Sequence, residues 1–177
     1  MHYDDYFFYL DEMAGPQELK YILDLIEKPN KTNFESYLIS KAVFDKYKLM
    51  DLYGTMQMRE EKYTDAAKTL NQIPAEYWHT GVIEYDTYLD ANPMHADFYS
   101  GHSTTAADTI RFTKVELLNK IIELQNNAAS GKNAAMNYFT LGNIFYNMTH
   151  HGNSWMMMRY GWSTNEEPDN KNYSQRV

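Results

Sequence analysis

Apolar residues recur at helical spacing along most of the chain. A dense aromatic run, Tyr3 and Tyr6 to Leu10, reads as an element entered midway. Pro16 is suited to open the next helix, because its fixed φ fits a first turn where its missing N–H costs nothing. Leu19, Ile22, Leu23 and Ile26 then share one face until Lys28-Pro29-Asn30 stops the helix. Thr32 or Asn33 can cap another, with Phe34, Tyr37 and Leu38 in one stripe. From about Phe44 to Arg59, Leu49, Leu52, Tyr53 and Met56 keep the i, i+3, i+4, i+7 spacing. Tyr63, Ala66, Ala67, Leu70 and Ile73 repeat it, and Pro74 ends that helix. Short helices in succession predict an antiparallel stack.

Residues 75–103 interrupt the pattern with turn formers scattered among aromatics, and one or two irregular helical turns are expected there. Ser103 to Thr105 offer caps for a helix predicted to run to about Asn127, with Ile110, Leu117, Ile121 and Leu124 in one stripe and Val115, Leu118 and Ile122 widening it. Glu116 and Lys120 stand at the spacing of an i, i+4 ion pair. After a turn at 130–133, Ala134 to about Met148 is a further helix carrying Tyr138, Leu141, Phe145 and Met148. Gly152-Asn153 is a turn, and Ser154 to Tyr160 starts a last helix. No segment reads convincingly as a strand. The pattern predicts an all-α fold of about six to seven helices in stacked antiparallel hairpins: one domain over 1–162, with 75–103 irregular and 163–177 a polar tail.

Two places turn spacing into a motif. Gly54 follows Tyr53, and Ala66 comes twelve residues later, then Leu70. Antiparallel helices approach closely only where small side chains meet, so Gly54 opposite Ala66 would mark such a point, with larger residues above and below interlocking. This arrangement resembles the tetratricopeptide repeat. Tyr138, Leu141, Gly142 and Phe145 resemble the first helix of a second copy. The copies are not in clean tandem. Gln57 stands where the repeat has Tyr or Phe, and Gly54 and Gly142 are 88 residues apart rather than a multiple of 34.

Two further segments, Ile73-Pro74-Ala75-Glu76-Tyr77-Trp78 and Leu141-Gly142-Asn143 through Asn147 to Gly152-Asn153-Ser154-Trp155, are similar to segments of large bacterial repeat proteins, often envelope-associated, with no assigned biochemical activity. The resemblance implies a helical-repeat module of a longer chain, exported to the cell envelope, and implies no site residue.

The composition limits the chemistry. Sixteen basic against twenty-four acidic residues give a net charge of −8, the wrong sign for a duplex-binding surface or for anionic lipid. The absence of cysteine removes disulfides, thiol catalysis and thiolate metal sites. No apolar run reaches the roughly 18 residues of a membrane span.

Candidate reactive groups are sparse. His79, His95 and His102 fall in the irregular segment and could act as metal ligands or bases of a metal-dependent or hydrolytic site. Adjacent His150-His151 point about 100° apart on a helix and cannot chelate as an i, i+4 pair can. Neighbouring acids such as Glu60-Glu61 do not face a substrate across a cleft. Ser103 beside His102 lacks a nucleophile elbow. No catalytic residue, metal ligand or cofactor is therefore assigned.

The densest oddity is the Met-aromatic segment 136–162. Met beside aromatics suits irregular binding faces, which makes Tyr146, Trp155, Met158 and Trp162 candidates for an interaction surface. The plainer reading of the segment is core filling. The leading expectation is a protein–protein interaction or scaffold module with a protein or peptide partner. A loop-based enzyme and a self-associating structural subunit are the alternatives.

Overall fold

A computed structural model describes residues 5–42, 45–79, 92–95, 112–149 and 152–160. These residues are all helical or irregular, with seven α-helices, two 3-10 turns and no strand among them. The fold is all-α. The helices are α1 (Asp5–Met13), α2 (Pro16–Glu27), α3 (Asn33–Lys41), α4 (Lys46–Arg59), α5 (Tyr63–Leu70), α6 (Lys114–Ala129) and α7 (Ala134–Asn147). The 3-10 turns span Ala75–His79 and Trp155–Met157. The chain divides into two compact units, Met1–Tyr77 and Trp78–Val177. The expected polar tail, 163–177, lies outside the described residues.

In the first unit, α4 packs against both α2 and α5. α4 is an almost wholly buried helix: Leu49, Leu52 and Met58 are sealed from solvent, and Met50 and Met56 nearly so. Asp45 starts it by accepting the Tyr47 and Lys48 N–H groups. It ends on Glu61, at φ +60°, where the Lys62 N–H reaches the Gln57 carbonyl at 2.9 Å and the Glu61 N–H the Met58 carbonyl at 2.9 Å. This paired closure normally falls to glycine, since left-handed backbone crowds a Cβ. The turn is short, and α5 returns antiparallel. Two contacts fix the register: Gly54 lies against Leu70, and Thr69 Oγ1 donates to Gln57 Oε1 at 2.8 Å. As the α4 number rises, the α5 number falls.

Gly54 earns its place here. A Cβ on it would stand 2.4 Å from Leu70 Cδ2 and 2.6 Å from Cγ, so the nearest filler of the notch is Leu70. Ala66, the partner expected from the repeat spacing, is itself fully buried on α5. Gln57 uses its polar head to bridge to α5, at the position where the repeat has an aromatic ring. Arg59 Nη1 donates to Asp11 Oδ1 at 2.7 Å, tying the end of α4 to α1. Tyr77 Oη donates to the buried Asp51 Oδ2 at 3.2 Å and sets its ring edge-on to Tyr47.

In the second unit, α6 and α7 form the main pair. α6 begins at Lys114, not at Ser103–Thr105. Thr113 is extended and caps it, accepting from the Glu116 N–H while Glu116 Oε2 accepts from the Thr113 N–H at 2.8 Å. The helix therefore does not run back through Thr113, and residues 96–111 lie outside the described part. The same box overturns the expected Glu116–Lys120 pair: Glu116 is turned back to its cap, and Lys120 bridges to Glu123 at 2.9 Å. Leu117, Leu118 and Ile121 are sealed in the core as their stripe predicts. Gly131, at φ +80°, closes α6, and Asn133, also left-handed, opens α7. α7 buries Leu141, Ile144 and Asn147, with Met148 just past its end. Tyr138, expected on that inner face, is turned outward.

Candidate interaction surfaces

α3 is the odd helix of the first unit. It has apolar side chains and buries none of its residues. Phe34 is 68% exposed, Tyr37 58%, and Leu38 is exposed as well. These three stand at i, i+3 and i+4, so they form one patch. Both ends of the helix are held. At its start, Thr32 and Glu35 make a reciprocal capping box, and Lys28 Nζ donates to both Glu35 oxygens at 2.7 and 2.9 Å. The Lys28 ammonium, then the Thr32 N–H, draw the Glu35 carboxyl down to a pKa of about 2. Lys31 Nζ donates to the Ile26 and Lys28 carbonyls, closing the end of α2. At the far end the Ala42 N–H returns to Leu38 and Ile39 carbonyls, and Lys41 lies over the Tyr37 ring at 5.9 Å.

Charge around this patch opposes the rest of the chain. Residues 28–48 hold five lysines (Lys28, Lys31, Lys41, Lys46, Lys48) against Glu35 and Asp45, a local net of +3 in a chain of −8. Lys46 also bridges to Glu27 at 2.6 Å.

The second unit has its own apolar strip on the outer face of α7, where Tyr138, Phe139 and Tyr146 are exposed. Its inner side is held by amides. Asn147 Nδ2 donates to the carbonyls of Pro93 and His95 at 2.9 and 3.0 Å, and Asn143 Nδ2 donates to Met94 at 2.9 Å. Asn92 completes that short turn by accepting from the Met94 N–H. The Asn147 carbonyl accepts from the Ser154 N–H at 2.8 Å. Gly152 is pressed so close that a Cβ would lie 2.1 Å from the Asn147 carbonyl oxygen. Asn143, Asn147 and Gly152 thus carry packing, and they explain why this stretch is polar on a buried side. The Asn147 Oδ1 is buried with no hydrogen-bond partner among the described residues.

The surface residues expected from the sequence separate. Tyr146 is exposed on α7, whereas Trp155 is 2% exposed and belongs to the core with Met156, Met157 and Tyr160. Met158 is half-buried, and Trp162 lies outside the described residues. The 3-10 turn at 155–157 explains the correction: a tight turn clamped to the end of α7 folds the segment inward. Lys114, also sealed from solvent, joins this core by donating to Tyr160 Oη at 3.2 Å, with its Nζ 4.7 Å from the ring centroid. That is a cation–π contact.

Of the helix-packing residues, Gly54, Ala66, Leu70 and Leu141 are buried. Gly142 is not. It is exposed, and a Cβ there would meet no described atom within 4 Å. Gly142 therefore marks no close approach to a described residue of the kind Gly54 makes with Leu70.

His95 is exposed, with Nε2 3.5 Å from the Asn92 amide nitrogen. The side chain of His79 is outside the described set, as is His102. No group of three metal-ligating side chains occurs among the described residues. No described helix is long and apolar enough to cross a membrane. Comparison with protein-family models, with curated proteins and with solved structures finds no match to this chain.

Proposed function

We propose that this chain is a protein–protein interaction module of helical-repeat type, a scaffold part of a larger bacterial protein, and that α3 is the helix it presents. The observation that carries this reading is a helix held at both ends that buries none of its own residues. A nine-residue helix is unstable alone in water, and here capping and ion pairs hold it in shape. The ordering cost of binding is thereby met before a partner arrives, which favours affinity through preorganisation. Phe34, Tyr37 and Leu38 have the spacing of anchors that enter a groove. The surrounding lysines select the groove's rim. The fitting partner is a protein with an apolar channel edged by Asp and Glu.

A photo-crosslinking amino acid at Tyr37, placed in the protein in its source cells, tests this. The expected result is one discrete protein adduct that is lost on Leu38→Asp and weakened by Lys41→Glu. A probe at exposed Gln72 should give none. Equal labelling at both positions, or none at Tyr37, would overturn the proposal.

A further inference from the structure

We infer that the outer face of α7 is a self-recognition surface, on which a second copy of this chain docks antiparallel with Gly142 on the two-fold axis. The inference concerns a different helix from the α3 proposal and stands independently of it. Its starting point is a symmetry in the sequence: Met136-Asn137-Tyr138-Phe139 before Gly142 is mirrored by Phe145-Tyr146-Asn147-Met148 after it. On a helix of 3.6 residues per turn, positions four before and after the glycine lie about 40° to either side of it, and positions three away about 60°. Tyr138, Phe139, Phe145 and Tyr146 therefore straddle Gly142 within one arc. Tyr138 is 61% exposed and Phe139 62%, Tyr146 is exposed, and Phe145 is half-buried. Gly142 between them is exposed, and a Cβ there would meet no described atom within 4 Å.

Two antiparallel helices related by a two-fold axis place each position opposite its mirror position. Tyr138 of one copy would then meet Tyr146 of the other, and Phe139 would meet Phe145. An isologous contact requires this self-complementarity, and the mirrored sequence supplies it. Glycine at the crossing point lets the backbones approach.

Charge points to the same occupant. Two copies at −8 repel, yet α7 (AAMNYFTLGNIFYN) carries no Asp, Glu, Lys, Arg or His. This face adds no like-charge contact and desolvates no ion. The exposed parts of its three aromatics amount to about 350 Å² per copy, so about 700 Å² in all, the low end of interface size and that of a weak, reversible association.

The absence of cysteine gives a clean test. Gly142→Cys alone should oxidise to a disulfide-linked dimer, because it would face itself across the axis. Tyr138→Cys and Tyr146→Cys should each stay monomeric under the same oxidant but form a mixed dimer when combined. In sedimentation velocity from about 1 to about 500 µM, wild type should self-associate with concentration. Gly142→Glu and Phe139→Glu should weaken this at least tenfold with unchanged circular dichroism, while Asn119→Glu, with the same added charge on exposed α6 surface, should not. A chain that stays monomeric with no Gly142→Cys dimer overturns the inference, even if another protein occupies the face. So does association that survives Gly142→Glu, or self-linking of Tyr138→Cys alone.

Discussion

The notch at Gly54 allows a quantitative test of how α4 and α5 are held together. Replacing Gly54 by Ala has two opposed effects. Helix propensity alone favours Ala by about 1 kcal/mol. Against it, the new methyl would sit 2.4 Å from Leu70 Cδ2, 2.6 Å from Cγ and 3.3 Å from Cδ1. The Cγ distance decides the sign. A clash with a terminal methyl could be relieved by rotating it, but Cγ moves only if the whole Leu70 side chain changes rotamer, and Leu70 is sealed in the core. Overpacking of that kind costs up to about 3 kcal/mol. The net expectation for Gly54→Ala is a loss of about 1–2 kcal/mol, the reverse of the usual Gly-to-Ala gain in a helix. Leu70→Ala should cost about 2–5 kcal/mol through its cavity. In the double variant the methyl at 54 occupies space that Leu70 has left, so the combined loss should fall short of the sum by about 1 kcal/mol or more. Urea denaturation of all four proteins, followed by circular dichroism, measures the cycle. In the 77-residue first unit each kcal/mol corresponds to about 4–8 °C in melting temperature. A Gly54→Ala protein as stable as wild type, or losses that simply add, would show that the two helices do not meet at this notch.

Two glycines of the second unit, Gly152 and Gly142, should answer the same substitution in opposite ways. Gly152→Ala should cost about 3 kcal/mol or more in urea denaturation, because its Cβ meets the Asn147 backbone, which cannot rotate away. Gly142→Ala, measured at low protein concentration, should gain up to about 1 kcal/mol. Asn147→Asp should place a carboxylate against the Pro93 and His95 carbonyls and release the 92–95 turn, seen as faster hydrogen exchange there with α6 still protected. Glu61→Gly should stabilise by about 1 kcal/mol in a thermal melt, by removing a side chain from left-handed backbone. The α3 clamp depends on a Glu35 carboxyl whose pKa is lowered from 4.5 to about 2. Its contribution should be complete above pH 4.5 and fade as pH falls through 2. NMR titration of the Thr32 and Glu35 amides checks this, and a midpoint near 4.5 would refute it.

Periodicity made the helices legible because burying one face imposes a repeat of 3.6 residues. The span from Pro16 to Glu27 and the stripe Leu117–Leu118–Ile121 come directly from it, whereas the helix that starts at Tyr63 closes at Leu70, before the Ile73 and Pro74 expected to end it. Periodicity is blind to a capping box inside an apolar stretch. Ile110 and Val115 continue the stripe across Thr113, yet the Thr113–Glu116 exchange starts the helix there. It also says which side chains share a face without saying what lies against them. Phe34, Tyr37 and Leu38 share a face as read, and that face is exposed. The Met-aromatic run was ambiguous for the same reason, and its 3-10 turn sends Trp155 inward while α7 keeps Tyr138 and Phe139 outside.

The amides of α7 show where sequence reading stops and why. Asn143 and Asn147 are one turn apart, and in isolation they read as the wet side of a helix. In the fold they are its anchoring side, because each Nδ2 donates to a backbone carbonyl of the 92–95 turn some fifty residues away. A turn laid against a helix leaves carbonyls that helix backbone cannot satisfy, and buried carbonyls require donors. Asn supplies them without charge, where a lysine would bring an ion to desolvate. This use of polar residues inward frees the opposite face to be aromatic, so the apolar outer strip of α7 and its amide inner side are two results of one arrangement. An apolar face on this helix is therefore no sign of core, and Gly142 at its centre is open for the same reason that Asn147 is buried.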